Sequence, residues 1–136
     1  THKNFKLRSE SKVKSITIDS LLKEYLLNNH IVIIKLDIEG NEIRAIKGAL
    51  EIVKKLNPLI IIEFSKYIFD NLDNIVYFKN FLIKYDYSIF DINYNKKNLE
   101  DILEMLKNLK KRHKTIGNFY LIKNYSNNLK IFLSNE

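Results

Sequence analysis

Residues 31–58 read IVIIKLDIEGNEIRAIKGALEIVKKLNP, and the order of patterns within them decides the fold class. Residues 31–36 are aliphatic apart from Lys35, as expected of a strand buried on both faces of a parallel sheet. Asp37, Ile38, Glu39 and Gly40 then make a short acidic turn in which Gly40 supplies a conformation closed to residues with a β-carbon. Asn41 is placed to cap a helix, and Glu42 behind it suits the partial positive charge of the first turn. Ile43, Ile46, Ala49, Leu50 and Val53 recur at three- and four-residue intervals, with Arg44, Lys47, Glu51 and Lys54 on the other side, which predicts an amphipathic helix. Gly48 inside it costs about 1 kcal/mol relative to alanine, so close packing of the helix on the sheet is expected there. Asn57 and Pro58 stop the helix. Residues 59–62, ending in Glu63, read as a second buried strand. The whole is one β-α-β unit with a right-handed crossover, and the class is α/β.

Before this unit, residues 1–12 are polar apart from Phe5 and Leu7 and predict an extended arm or the remnant of a strand. Val13, Ile16 and Ile18 predict a short strand, and Asp19 caps a helix whose Leu22, Tyr25 and Leu26 face inward. His30 has no ligand partner at helical spacing and reads as a loop residue. After the unit, residues 65–70 connect to a second helix with Ile75, Phe78, Phe81, Leu82 and Tyr85 on one face, an aromatic stripe that belongs to the core. A third strand at 87–92, an Asn-rich turn at 93–98 and a third helix marked by Leu99, Ile102, Leu103, Leu106 and Leu109 follow. The basic run 107–114 sits at that helix's carboxyl end, where the dipole favours cations. A fourth strand at 119–122 leads into the tail, residues 124–136.

The chain has 136 residues, 46% of them hydrophobic, enough to bury a core. There is no cysteine, which excludes disulfides and thiolate metal sites. The apolar runs are too short to span a bilayer and no charged-then-apolar leader precedes them, so a soluble cytoplasmic protein is the simplest expectation. The net charge of +7 permits attraction to nucleic acid, anionic lipid or phosphorylated substrates. Lys, Asn and Ile all have AT-rich codons, however, so genome composition could produce such an excess without selection for an anionic partner.

Chemistry in an open α/β sheet gathers beyond the carboxyl ends of the strands. Asp37 and Glu63 close the first two buried strands, Asp91 lies near the end of the third, and Glu39 and Glu42 extend the first acid into a cluster. These carboxylates can satisfy backbone donors in their turns, pair with Lys35 or serve the helix dipole. A hard-cation site is the second reading, although the fuller ligand pattern of a known loop is absent.

The run IKLDIEGNEIRAIKGA, followed at helical distance by NPLIIIE, resembles the central signature of the FkbM family of S-adenosylmethionine-dependent methyltransferases. The upstream ITIDSLL resembles the strand and capped helix that precede that signature, and GNFYLIK is similar to the family's last strand. The resemblance implies a doubly wound, mostly parallel sheet of the class I, Rossmann-like methyltransferase type, with the fourth strand antiparallel at the sheet edge. It implies an O-methyltransferase acting on a hydroxyl of a small molecule or sugar. Asp37 and Glu39 would be its catalytic acids, with Glu42 and Glu63 in support. It also implies that residues 13–123 are the carboxyl-terminal part of the domain. The glycine-rich turn and ribose-binding acid that hold the cofactor are not among the chain's three glycines and strand ends. A missing amino-terminal half or a partner chain would supply them, and the chain alone would transfer no methyl group. Two rivals stand beside this: a non-catalytic α/β interaction module or half of a split enzyme, and a basic nucleic-acid-binding domain using residues 107–114. Nothing in the chain has the aromatic and basic pattern of a known nucleic-acid motif.

Overall fold

The β-α-β unit forms, and its helix is built in two pieces. The computed structural model describes residues 12–22 and 32–124. Strand β1 (Ile33–Leu36) and strand β2 (Leu59–Ser65) pair in parallel, with Ile33 opposite Leu59 and Leu36 opposite Ile62. Between them the single predicted helix is interrupted at Gly48 and Ala49, giving α2 (Glu42–Lys47) and α3 (Leu50–Leu56). The interruption has a cause in a distant segment. Asp19 donates its N–H to the Gly48 carbonyl at 2.8 Å, and its carboxylate accepts from the Glu51 and Ile52 N–H groups at 3.1 Å each. It therefore caps α3, not its own helix. A β-carbon on Gly48 would lie 3.3 Å from Thr17 Cβ, so the close approach predicted for this glycine exists, against residue 17 instead of the sheet.

The segment that carries Asp19 forms helix α1 (Ile18–Leu21), capped by Thr17, whose side chain accepts from the Ser20 N–H at 3.1 Å. The strand expected from Val13, Ile16 and Ile18 is not formed. Val13 and Ile16 are 86% and 56% exposed, and the Thr17 hydroxyl starts a helical turn where the strand should have continued. Tyr25, Leu26, His30 and Ile31 lie outside the described residues.

Asn57 ends α3 in the left-handed conformation (φ 48°) immediately before Pro58, as the sequence anticipates. Helix α4 (Leu72–Tyr85) is capped by Asn71 and buries Phe78 and Phe81 from the predicted stripe. It leads through Asp86 into β3 (Tyr87–Phe90), a turn, and the two-residue strand β4 (Lys96–Lys97). Helix α5 (Leu99–Lys107) opens with a reciprocal cap between Asn98 and Asp101. It ends at Lys107, so most of the basic run 107–114 is a loop and not a helix end. Strand β5 (Thr115–Lys123) completes the sheet.

The strand order is β1-β2-β5-β3-β4. β5 is antiparallel to its neighbours as expected, but it lies inside the sheet between β2 and β3, not at an edge. Both flanking strands carry backbone groups that need partners, and an interior place buries Phe119, Leu121 and Ile122. Only the β1–β2 pair is parallel among the described residues; the pairs β2–β5, β5–β3 and β3–β4 are antiparallel, so the sheet is mixed.

All the long helices meet one face. Ile34, Leu36, Ile60, Ile62, Phe64, Ile89, Phe119 and Leu121 share one core with Ile43 and Ile46 of α2, Ile52 and Val53 of α3, Phe78 and Phe81 of α4, and Leu99, Ile102 and Leu106 of α5. On the opposite face Ile33 is 60% exposed, Lys35 is exposed, and Leu59, Ile61 and Glu63 are half-buried. β1 thus alternates, buried on one face only, where the sequence predicted burial on both. A doubly wound sheet would carry helices on both faces; among the described residues α2 to α5 occupy one.

Candidate functional site

The carboxyl end of β2 is held firmly, and the site is built around it. The Phe64 ring lies 5.8, 5.7 and 5.2 Å from the rings of Phe69, Phe78 and Phe119. Each such pair contributes about 1 kcal/mol beyond its buried area. β2 runs on to Ser65, so Glu63 is within the strand, opposite Asn118 of β5, and does not close it.

Register brings Asp37 and Glu63 together. Leu36 stands opposite Ile62, so the next residue of each chain, Asp37 and Glu63, falls at the same level on strands about 4.8 Å apart. Both lie on the face away from the helix-packed core, because Leu36 and Ile62 point into it. Asp37 is exposed and pairs with Lys35 Nζ at 3.2 Å, which is the pairing the sequence allowed.

Glu39 occupies the left-handed region (φ 55°) and Gly40 follows at φ 99°. A β-carbon on Gly40 would stand 2.7 Å from Tyr67 Cβ, so the turn after β1 lies directly against Tyr67, two residues beyond β2. Lys114 completes this corner, its ammonium 5.5 Å from the centre of the Tyr67 ring. The Tyr67 hydroxyl, and more weakly the charge of Glu39, push the Lys114 pKa upward. Exposed Glu39 therefore lies within electrostatic reach of Lys114, the residue before β5.

Glu42 does not join them at the surface. It is 1% exposed, its Oε1 accepts from the Ile38 N–H at 3.0 Å, and its Oε2 has no partner among the described residues. It fastens the turn that presents Asp37 and Glu39. Asp91 is also apart. Its carboxylate accepts from the Asn93 and Asn95 N–H groups at 2.9 Å each and pairs with Lys97 Nζ at 3.3 Å. Partial desolvation pushes its pKa up, but these donors together outweigh it and hold the carboxyl below its ordinary range.

A pocket of about 470 Å³ is lined by residues 15–18 together with Ile38, Asn41, Arg44, Ala45 and Gly48. Its lining contains no carboxylate, so the candidate acids do not open into it. No three His, Asp or Glu side chains among the described residues stand close enough to hold a metal ion. No helix among the described residues is long and apolar enough to cross a membrane.

Sequence reasoning missed Tyr67 and Lys114. Tyr67 fell in a connection and Lys114 at the end of an expected helix; the β1–β2 pairing sets Tyr67 beside the turn, and the inward place of β5 brings Lys114 to Tyr67. Added β-carbons at Gly40 and Gly48 would meet Tyr67 and Thr17, whereas one at Gly117 would meet nothing within 4 Å.

Comparison with known proteins agrees with the signature. No curated protein and no solved structure matches the chain. The model of the Methyltransferase FkbM domain matches residues 1–113, including the polar segment 1–12 and ending before β5. That match takes in most of the 136 residues, and the chain belongs to the FkbM methyltransferase family.

Proposed function

We propose that the protein takes part in S-adenosylmethionine-dependent O-methylation of a hydroxyl on a small molecule or sugar. Asp37 and Glu39 act on the acceptor, with Glu63 beside them and Glu42 supporting the turn. The observation that carries this reading is the place of Asp37 directly after β1, one residue beyond the Leu36–Ile62 pair, and of Glu39 in the turn that follows, in a member of this family.

The cofactor, when bound, supplies a methyl group on a positively charged sulfur. The chain's own residues have simpler tasks. Asp37 accepts a hydrogen bond from the acceptor hydroxyl and takes its proton as the oxygen becomes nucleophilic, and its exposure lets that proton pass on to water. Glu39 fixes the second side of the acceptor. Its strained backbone is maintained by the Gly40–Tyr67 contact, so its placement is set before any ligand arrives.

The cofactor cradle would come from another segment or chain, docked on the sheet face where Ile33 is 60% exposed beside half-buried Leu59 and Ile61. β1 at the edge of the described sheet supports this, since an unpaired apolar edge invites a further strand. The same observation favours the split-enzyme reading over a free-standing nucleic-acid binder.

Incubation with methyl-labelled cofactor and a panel of sugars and small alcohols, followed by mass spectrometry, tests the proposal. Label on an acceptor oxygen is expected once the cofactor-holding part is present. Label on nitrogen or carbon, with none on oxygen, would overturn it.

A further inference from the structure

Residues 107–114 carry Lys107, Lys110, Lys111, Arg112 and Lys114, all exposed, and exposed Lys66 stands against them. The loop is folded back on itself. The Lys66 N–H donates to the Lys114 carbonyl at 2.9 Å, Lys66 Nζ donates to the Leu109 carbonyl at 3.2 Å, and the His113 N–H closes a turn on the Lys110 carbonyl at 2.9 Å. Like charges gathered this closely repel one another, and interleaved acids would relieve them. Here no acid occurs between Glu104 and Asn124 in the sequence, and the ion pairs of the described residues, at Lys35, Lys54, Lys79 and Lys97, use none of these six cations. The patch is also concave: Lys66 and Lys107 rim a pocket of about 290 Å³ floored by Phe69, Leu103 and Leu106.

Its position matters most. β5 runs against β2, so the loop before Thr115 arrives at the same edge as the candidate acids. Lys114 lies over Tyr67, and Tyr67 is packed against Gly40 in the acidic turn. Cations and acids are therefore contiguous, without being paired.

We propose that this basic loop seats a tetrahedral oxyanion, phosphate or sulfate, carried by the methyl acceptor. With the anion held at 107–114, a hydroxyl on the same molecule reaches Asp37 and Glu39. The inference rests on the methyltransferase reading for the hydroxyl but not for the anion. Several ammonium groups with one guanidinium fork match an anion with three or four oxygens; a lone carboxylate needs fewer. A nucleic acid would be followed by a stripe of cations tracking successive phosphates, whereas Lys110, Lys111 and Arg112 are consecutive in one turn closed by the His113 N–H on the Lys110 carbonyl.

Calorimetric titration of the full 136-residue chain with glucose 1-phosphate, glucose 6-sulfate and glucose, without cofactor, tests the proposal. At least one anionic sugar should bind and glucose should not, with affinity falling as salt rises. Whichever anion binds identifies the source of the charge. Replacing Lys110, Lys111 and Arg112 together by serine should weaken binding roughly tenfold or more, and far-UV circular dichroism checks that this exposed loop has not unfolded the chain. If the triple variant does not fold, Lys111→Ser alone and the salt titration of the unaltered protein decide. Equal binding of glucose and the anionic sugars, binding of none, or unchanged affinity in the folded variant would overturn the proposal. So would tighter binding of a single-stranded oligonucleotide than of either anionic sugar. Because no cofactor is present, absence of methyl transfer has no bearing on the result, and methylation of a neutral acceptor without anion binding would sink this inference alone.

Discussion

β1 and β3 run in the same direction, and each hands the chain to an aspartate, Asp37 and Asp91, yet the fold treats the two differently. Asp91 is surrounded by the N–H groups of Asn93 and Asn95 and the ammonium of Lys97, and its side chain is 18% exposed. Asp37 has Lys35 alone and is 42% exposed. One carboxylate is used up in shaping a turn, and the other meets a single exposed ammonium. A strand-end acid becomes informative about function only after its backbone donors have been counted.

The sharpest way to break this contrast is to exchange the two residues' expected defects. Asp37→Asn in a complete enzyme should lower turnover about 100-fold or more and leave the unfolding midpoint in denaturant unchanged. Equal loss of turnover and stability would return Asp37 to a structural role. Next in size is Gly40→Ala, which combines a φ of 99° with a 2.7 Å approach to Tyr67 Cβ. It should cost about 2–3 kcal/mol in urea unfolding and should displace Asp37 and Glu39 with the turn. A cost near zero would mean that Tyr67 does not fix the corner.

Asp91→Ala should cost about 1–2 kcal/mol through its lost hydrogen bonds and leave methyl transfer little changed. Its pH signature follows from the depressed carboxyl. That contribution is fully present above the ordinary carboxylate pKa and is lost as pH falls through the lower folded value. The unaltered protein should therefore lose stability over the acid range more steeply than Asp91→Ala. Parallel curves would show that Asp91 does not carry the turn. Lys35→Met should have the smallest effect, below about 1 kcal/mol, because an exposed ion pair contributes little. A larger loss would indicate that the Lys35–Asp37 pair is structural after all.

Much of this was legible in local patterns. The run from Ile33 to Ile62 declared its crossover through β-branched strands, a Gly40 turn and an Asn57–Pro58 stop, because each signal acts within a few residues. The break at Gly48 was not, since its cause is Asp19, far away in sequence and close only after folding. The one-sided burial of β1 has no local signal for a similar reason: Ile33 is aliphatic in either environment, and composition does not say whether a second layer covers it. Among the site residues, Asp37 and Glu39 stood out as an acidic turn after a strand. Lys114 did not, because its nearness to that turn is created by β5, a strand whose interior place no local pattern encodes, and Tyr67 did not, because a tyrosine in a connection after a strand carries no local signal of the Gly40 contact.

That interior place also has a consequence for synthesis. β2 and β3 share no ladder of their own; each is joined to the other through β5. While the ribosome is still making residues before Thr115, the chain can form the β1–β2 and β3–β4 pairs only as separate fragments, each with an open edge facing the gap. Joining them awaits the strand that comes last among the described residues, a long-range step that is slow to close and prone to capture by other chains. A nascent chain of this design is most exposed to aggregation just before β5 joins its two sheet fragments, and conditions that slow translation after residue 114 should lower its yield more than the same delay placed earlier.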